Sequence, residues 1–179
     1  MDGRTIDKQV LYAGKKVHLE LHHIKDDDGR KHVREVVVHR GAAVILPILP
    51  NQDILLIKTK RPVVGEHLIE LPAGTIDEGE MPINCAGREL VEETGYIASK
   101  LTRIGSFYSS PGVLTEKMHA FLATGLLQSA GGPTDETEEI ELMPTSRREA
   151  LRMVIEGEII DAKTIATLLL YEAHRKAGH

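Results

Sequence analysis

One cysteine, no tryptophan, two phenylalanines and four tyrosines are found among the 179 residues of the chain. The lone cysteine, Cys85, excludes an intrachain disulfide framework and any cage of cysteine metal ligands, which points to a reducing, cytoplasmic setting. No run of about 18 uninterrupted apolar residues, the length a membrane-spanning helix needs, occurs anywhere. The opening stretch "MDGRTIDKQV" also lacks the apolar core of a signal peptide, so no membrane partner is expected. Excess basic charge is missing too. The net charge is −5, and without a basic footprint no nucleic acid is expected as a partner. Nine histidines are scattered, with no HExxH pair and no finger-like spacing to cysteine, which argues against zinc. His22 and His23 read as polar positions at the end of a strand.

What is present suffices for one core: 41% of the residues are hydrophobic, enough for a single globular domain with a small appendage. "VHLELHHI" (17–24) alternates Val17, Leu19 and Leu21 with polar residues. An Asp28-Gly29 turn then leads into the branched run "REVVVHR", which predicts an N-terminal β-hairpin. "GAAVILPIL" (41–49) and "ILLIKTKR" (54–61) are apolar enough for strands covered on both faces. After "HLIELPAG" the period changes, and Pro82 and Gly95 predict the start and stop of a helix. "FYSSPGVLTEKMHAFLAT" reads as strand, Pro-Gly loop and strand, and "QSAGGPTDETEEIE" as a loop. "SRRE" (146–149) matches a capping box, and Asp161 caps a further helix carrying Ile165, Leu168 and Leu169. The expected architecture is an α/β or α+β sandwich around a mixed sheet. Residues 1–40 would form the N-terminal strands and 41–179 the main domain.

The densest chemistry lies in "GTIDEGEMPINCAGRELVEETGY" (74–96). At about 100° per residue, Ile83, Ala86, Leu90 and Thr94 share a core stripe, and Glu89, Glu92 and Glu93 gather on the adjoining side. Glu89 and Glu93, four apart, repel each other and oppose the helix dipole near its C-terminal end. That arrangement costs stability unless a cation compensates. A solvated face with an Arg88–Glu92 pair is the ordinary alternative, while oxygen-only carboxylate donors suit Mg²⁺ or Mn²⁺.

Gly74, five residues, Glu80, seven residues, Arg88-Glu89-Leu90, one residue, Glu92-Glu93, one residue, Gly95-Tyr96 resembles an unbroken Nudix box. The resemblance implies an α/β fold, the Nudix α/β/α sandwich with a mixed sheet, here preceded by the N-terminal hairpin. It also implies hydrolysis of a nucleoside diphosphate linked to another group, with Mg²⁺ as cofactor and Mn²⁺ as a substitute. Glu89, Glu93 and the backbone carbonyl of Ala73 would be metal ligands, Glu92 would assist, Arg88 would position the carboxylates and Glu80 would support the loop.

"ELPAG", "SSPGVLTE" and "GEIIDAKTIATLLL" resemble the ADP-ribose and nucleoside diphosphate sugar pyrophosphatases. By that likeness Arg34 and Arg61 approach the diphosphate, and Pro111, Gly112 and Glu116 form a substrate loop whose acid meets ribose hydroxyls. The acidic loop "TDETEEIE" would carry a water-activating Glu136 and a further metal ligand, Glu138, with Glu139 able to replace either. The ordinary alternatives are surface ion pairs for Arg34 and Glu116, a simple turn at Pro111-Gly112, and a solvated acidic loop. The partners implied are a small-molecule nucleotide sugar and a second copy of the chain, the N-terminal strands forming a homodimer. A regulatory module that binds a nucleotide sugar without hydrolysing it is the competing class, and a capped RNA or nucleoside triphosphate the competing substrate. Base and sugar stay open, since Phe107, Tyr108 or Tyr12 of a second copy are among the few rings able to stack on a base.

Overall fold

A computed structural model describes residues 4–15, 17–130 and 139–178. The chain forms two compact units, one of residues up to Gly41 together with Tyr108–Lys117, the other of Ala42–Phe107 and Met118 onward.

The first unit is a three-stranded antiparallel sheet of β1 (Arg4–Ala13), β2 (His18–Lys25) and β3 (Lys31–Val38), in that order. The turn between β2 and β3 closes where expected. The Gly29 amide donates to Asp26 O at 2.9 Å, with Gly29 at φ 86°, a conformation that glycine adopts without steric cost. The segment after Tyr108 is fastened to the end of β3. Val37 N donates to Val113 O at 2.8 Å, Thr115 N to Val37 O at 3.0 Å, and His39 N to the Thr115 hydroxyl at 2.7 Å. Strand β1 was not expected from the sequence. Its pairing with β2 slips between Thr5 and Asp7 and again between Val10 and Tyr12, so its apolar residues never keep a period of two for long.

The second unit contains β4 (Ala42–Pro47), β5 (Ile54–Arg61), β6 (Glu66–Glu70), β7 (Ala73–Thr75), α1 (Pro82–Thr94), all but the last residue of β8 (Tyr96–Tyr108), all but the first of β9 (Lys117–Gln128), β10 (Ile140–Thr145), α2 (Arg147–Ile155) and α3 (Ala162–Lys176). Four strands run in the order β7-β4-β9-β8. The sheet is mixed, since β4 is antiparallel to β7 and parallel to β9. A second sheet has the order β10-β5-β6.

Strand β4 is buried along its whole length because both of its faces are covered. Ala42, Val44 and Leu46 pack in one cluster with Ala150 and Met153 of α2 and Leu168 of α3. Ala43 and Ile45 pack in another with Cys85, Ala86 and Leu90 of α1. Helices on opposite faces of a mixed sheet make this the expected α/β/α sandwich. Helices α2 and α3 begin at Ser146 and Asp161, whose side chains accept from the amides of Glu149 (3.2 Å) and Thr164 (2.9 Å).

Helix α1 runs from Pro82 to Thr94 and stops at Gly95, φ 72°. Its buried face departs from the expected stripe. Ile83, in the first turn, is 39% exposed, whereas Cys85, Ala86, Leu90, Glu93 and Thr94 are buried. Ala86 and Glu93 are seven apart and so nearly superposed in projection, which puts the centre of the buried face between them. The helix is therefore rotated so that the acidic side turns partly inward instead of lying beside the core.

Candidate active site

That rotation sets the environment of every carboxylate in the box. Glu93 is only 5% exposed, and its Oε2 accepts from the Ala73 amide at 2.9 Å. Pairing with β4 brings β7 to this point, with Ala73 opposite Val44 and Gly74 opposite Ala43. Glu89 lies against the same strand. A Cβ built on Gly74 would fall 1.9 Å from Glu89 Oε1 and 2.0 Å from its carboxyl carbon, so the absence of a side chain at Gly74 leaves the space that this carboxylate fills.

Arg88 organises the remaining acids. Its Nε and Nη2 donate to the two oxygens of Glu80, both at 3.1 Å, and Nη1 donates to Glu89 Oε1 at 2.6 Å and Glu92 Oε2 at 2.9 Å. Nη2 also donates to the Thr75 carbonyl at 3.2 Å. The Arg88–Glu92 pair weighed from sequence is thus one strand of a larger network. Glu80 also accepts from the Asp77 amide at 2.9 Å, tying the loop to the helix.

The charges respond accordingly. The Arg88 guanidinium holds the Glu80 carboxyl below the usual range against a modest cost of burial. Burial pushes Glu89 up; Arg88 opposes the rise, and the neighbouring Glu92 and Glu80 carboxylates add to it. Burial, reinforced by Glu80 and Glu89, pushes the Cys85 thiol up to about 12, so Cys85 carries no thiolate at neutral pH and is no nucleophile.

Glu89, Glu92, Glu93 and the Ala73 carbonyl offer oxygen donors alone, the set that suits a hard divalent cation. Two observations fit such an ion: the side-chain-free space at Gly74, which Glu89 fills, and the crowding of buried like charges beside it. Among the described residues no three acidic, histidine or cysteine side chains converge as a ready cage. Arg88 engages oxygens of Glu80, Glu89 and Glu92, and the Ala73 amide engages Glu93.

Arg61 lies elsewhere in the same unit. Its Nε and Nη2 each donate at 2.8 Å to the carboxylate of Glu70, which is 1% exposed and also contacts Lys163 Nζ. Glu70 and Lys163 were missed from the sequence. The available signal was a glutamate inside the otherwise apolar run "LIEL" (68–71), because a carboxylate buried there requires a cation.

Arg34, Pro111, Gly112 and Glu116 belong to the first unit. Arg34 is exposed and donates to its neighbour's carbonyl, Val33 O, at 3.2 Å. Glu116 Oε1 stands 3.5 Å from His39 Nδ1, and Pro111 and Gly112 are exposed. Glu136 and Glu138 lie outside the described residues. Glu139 is described and lines a recess with Lys58, His67, Ile140 and Glu141.

Comparisons with known proteins agree on one family. The model described as NUDIX domain matches residues 38–167. The chain is 38% identical over 165 residues to the ADP-ribose pyrophosphatase of Bacillus subtilis (strain 168), spanning 92% of this chain and 89% of that protein. It is 37% identical over 155 residues to the GDP-mannose pyrophosphatase of Cronobacter sakazakii, with 80% of each chain covered. A crystal structure of an ADP compounds hydrolase superposes with a TM-score of 0.86 over 99% of this chain and 96% of that one, at 21% identity, a likeness of fold.

Proposed function

The chain belongs to the Nudix hydrolase family, and from that premise we propose that it cleaves the pyrophosphate bond of a nucleoside diphosphate sugar, of the ADP-ribose, ADP-glucose or GDP-mannose type. The products are a nucleoside monophosphate and a sugar phosphate, AMP and ribose 5-phosphate in the case of ADP-ribose. The observation that carries the reading is the intact carboxylate set of α1, with Arg88 bridging Glu80, Glu89 and Glu92 and Glu93 lodged against the Ala73 amide. Similarity to pyrophosphatases of two different diphosphate sugars supports the substrate class.

Glu89, Glu93 and the Ala73 carbonyl would hold a divalent cation, Mg²⁺ with Mn²⁺ as substitute, and Glu138 would add a ligand. When bound, the cation supplies neutralisation of the diphosphate charge and polarisation of its phosphorus–oxygen bonds. Arg88 keeps the carboxylates apart and aimed, and Glu92 assists from the more exposed edge of the helix. By the resemblance alone, Arg61 and Arg34 are assigned to the diphosphate and Pro111, Gly112 and Glu116 to the sugar. Glu136 takes a proton from the water that attacks phosphorus, and the anhydride oxygen leaves with the other phosphate. Two copies of the chain form a homodimer through the N-terminal strands, and with a net charge of −5 nucleic acid is not a partner.

Replacing Glu93 by Gln keeps an acceptor for the Ala73 amide while removing the charge. We expect kcat to fall by about two to three orders of magnitude, on the scale of other lost electrostatic contacts to a transition state, with the thermal midpoint nearly unchanged. Turnover within a fewfold of wild type would contradict the assignment of Glu93.

A further inference from the structure

Outside the box, a connected polar arrangement in the second unit surrounds Glu70, the last residue of β6. Its carboxylate is 1% exposed and takes the guanidinium of Arg61 in a two-point fork, Nε to Oε1 and Nη2 to Oε2, both 2.8 Å. Lys163 Nζ contacts the same Oε2 and lies 3.1 Å from Asp161 Oδ1. Asp161 in turn caps α3, its Oδ2 accepting from Thr164 N at 2.9 Å and from the Thr164 hydroxyl at 2.6 Å. The circuit closes on the residue after Glu70, because the Leu71 amide donates to that hydroxyl at 2.8 Å.

A purely structural role explains this poorly. Burying a carboxylate between two cations gains little stability over an apolar filling of the same space, since desolvation consumes most of the attraction. What the arrangement does achieve is orientation. A two-point contact removes the rotamer freedom of a long side chain and fixes the plane of its guanidinium. Arg61 nevertheless keeps 31% of its side chain exposed, and Lys163 keeps 19%, so neither cation is sealed from solvent.

We propose that Glu70 is a positioning residue for substrate: anchored to α3 through Lys163 and Asp161, it holds Arg61 in the orientation that receives the diphosphate. The inference rests on the pyrophosphatase reading above and extends it to a residue that touches no substrate. Its expected signature is an effect on binding that travels through Arg61.

The test compares wild type with Glu70→Gln, Glu70→Asp, Arg61→Ala and the Glu70→Gln/Arg61→Ala double variant. Three quantities are read: steady-state kinetics on ADP-ribose with Mg²⁺, calorimetric binding of ADP-ribose to metal-free protein, and the thermal midpoint. Loss of one charge-assisted contact corresponds to about a tenfold change. We expect Glu70→Gln to raise both KM and Kd by about that factor, with kcat within about twofold of wild type. Glu70→Asp should recover part of the affinity, and the double variant should be no weaker than Arg61→Ala alone. Should Glu70→Gln fail to fold, Glu70→Asp carries the test: its shorter side chain keeps the charge but not the two-point fork, and KM and Kd should still rise, by less than about tenfold, with kcat within about twofold of wild type.

A fall in thermal midpoint with unchanged KM and Kd, or a Glu70 effect that adds in full to that of Arg61→Ala, would overturn the proposal. Arg61→Ala with normal affinity would overturn it while leaving the pyrophosphatase reading intact. Wild-type protein that neither binds nor cleaves any diphosphate sugar would overturn both.

Discussion

A single missing methyl group illustrates how closely this site is built at the residue scale. A Cβ at position 74 would meet the Glu89 carboxylate at 1.9–2.4 Å, closer than any normal contact. The obstructing atoms are the far end of a flexible side chain, so Gly74→Ala should displace Glu89 more readily than it disturbs the fold. We predict a stability loss below about 1 kcal/mol by urea denaturation and a fall in kcat of at least about tenfold. Wild-type turnover in the alanine variant would show that the placement of Glu89 does not matter. The glutamates, Arg88 and Gly74 were legible in the sequence because their spacing is rigid along one helix and the turn before it. Which of them is buried was not. Ile83 carries the apolar signal but sits in the first helical turn, 39% exposed, while charged Glu93 is 5% exposed. Binary patterning has no means to place a charge inside.

Between residues and the whole lie the contacts that join elements, and the one between β6 and α3 has a pH signature. Burial pushes the Glu70 carboxyl up, but Arg61 and Lys163 together hold it below the usual range. A carboxyl depressed in the folded state contributes stability that is present above its unfolded value, about 4.3, and is lost as pH falls through the folded one. Glu70→Gln should therefore be less stable than wild type at pH 7, by about 1–3 kcal/mol given the partial solvent access of both cations. The gap should narrow below about pH 4. Chemical denaturation at several pH values checks this, and a gap that widens toward low pH would reverse the assigned sign.

Elements with strong local signals were readable in advance. Pro82 and Gly95 bracket α1, Ser146 and Asp161 cap their helices, and β5 spans Ile54–Arg61. Those that depend on a neighbour were not. Strand β7 has three residues, β6 has glutamate at both ends, and β10 contains Pro144, tolerated because that strand edges its sheet.

At the scale of the whole molecule, β1 carries a dense run of exposed apolar residues. Ile6, Val10, Leu11 and Tyr12 of β1 are 46–59% exposed, more than an isolated three-stranded sheet would leave to water without cost. We predict a dimer in sedimentation equilibrium at micromolar concentration, reduced to monomer by deletion of β1. A wild-type monomer at that concentration would contradict it. The α/β/α layering was legible because β4 and β5 are apolar on both faces. The grouping of Tyr108–Lys117 with the N-terminal strands was not, since it rests on a few backbone bonds between distant segments, Val37 N to Val113 O and Thr115 N to Val37 O among them.

The central claim is the reaction itself. Purified protein would be incubated with ADP-ribose, ADP-glucose, GDP-mannose and a nucleoside triphosphate, with and without Mg²⁺, and the products resolved by chromatography. The account predicts equal amounts of nucleoside monophosphate and sugar phosphate from at least one diphosphate sugar, only when the cation is present. Intact diphosphate sugars after prolonged incubation with Mg²⁺, alongside tight binding of one of them, would contradict it and favour a protein that binds nucleotide sugars without cleaving them.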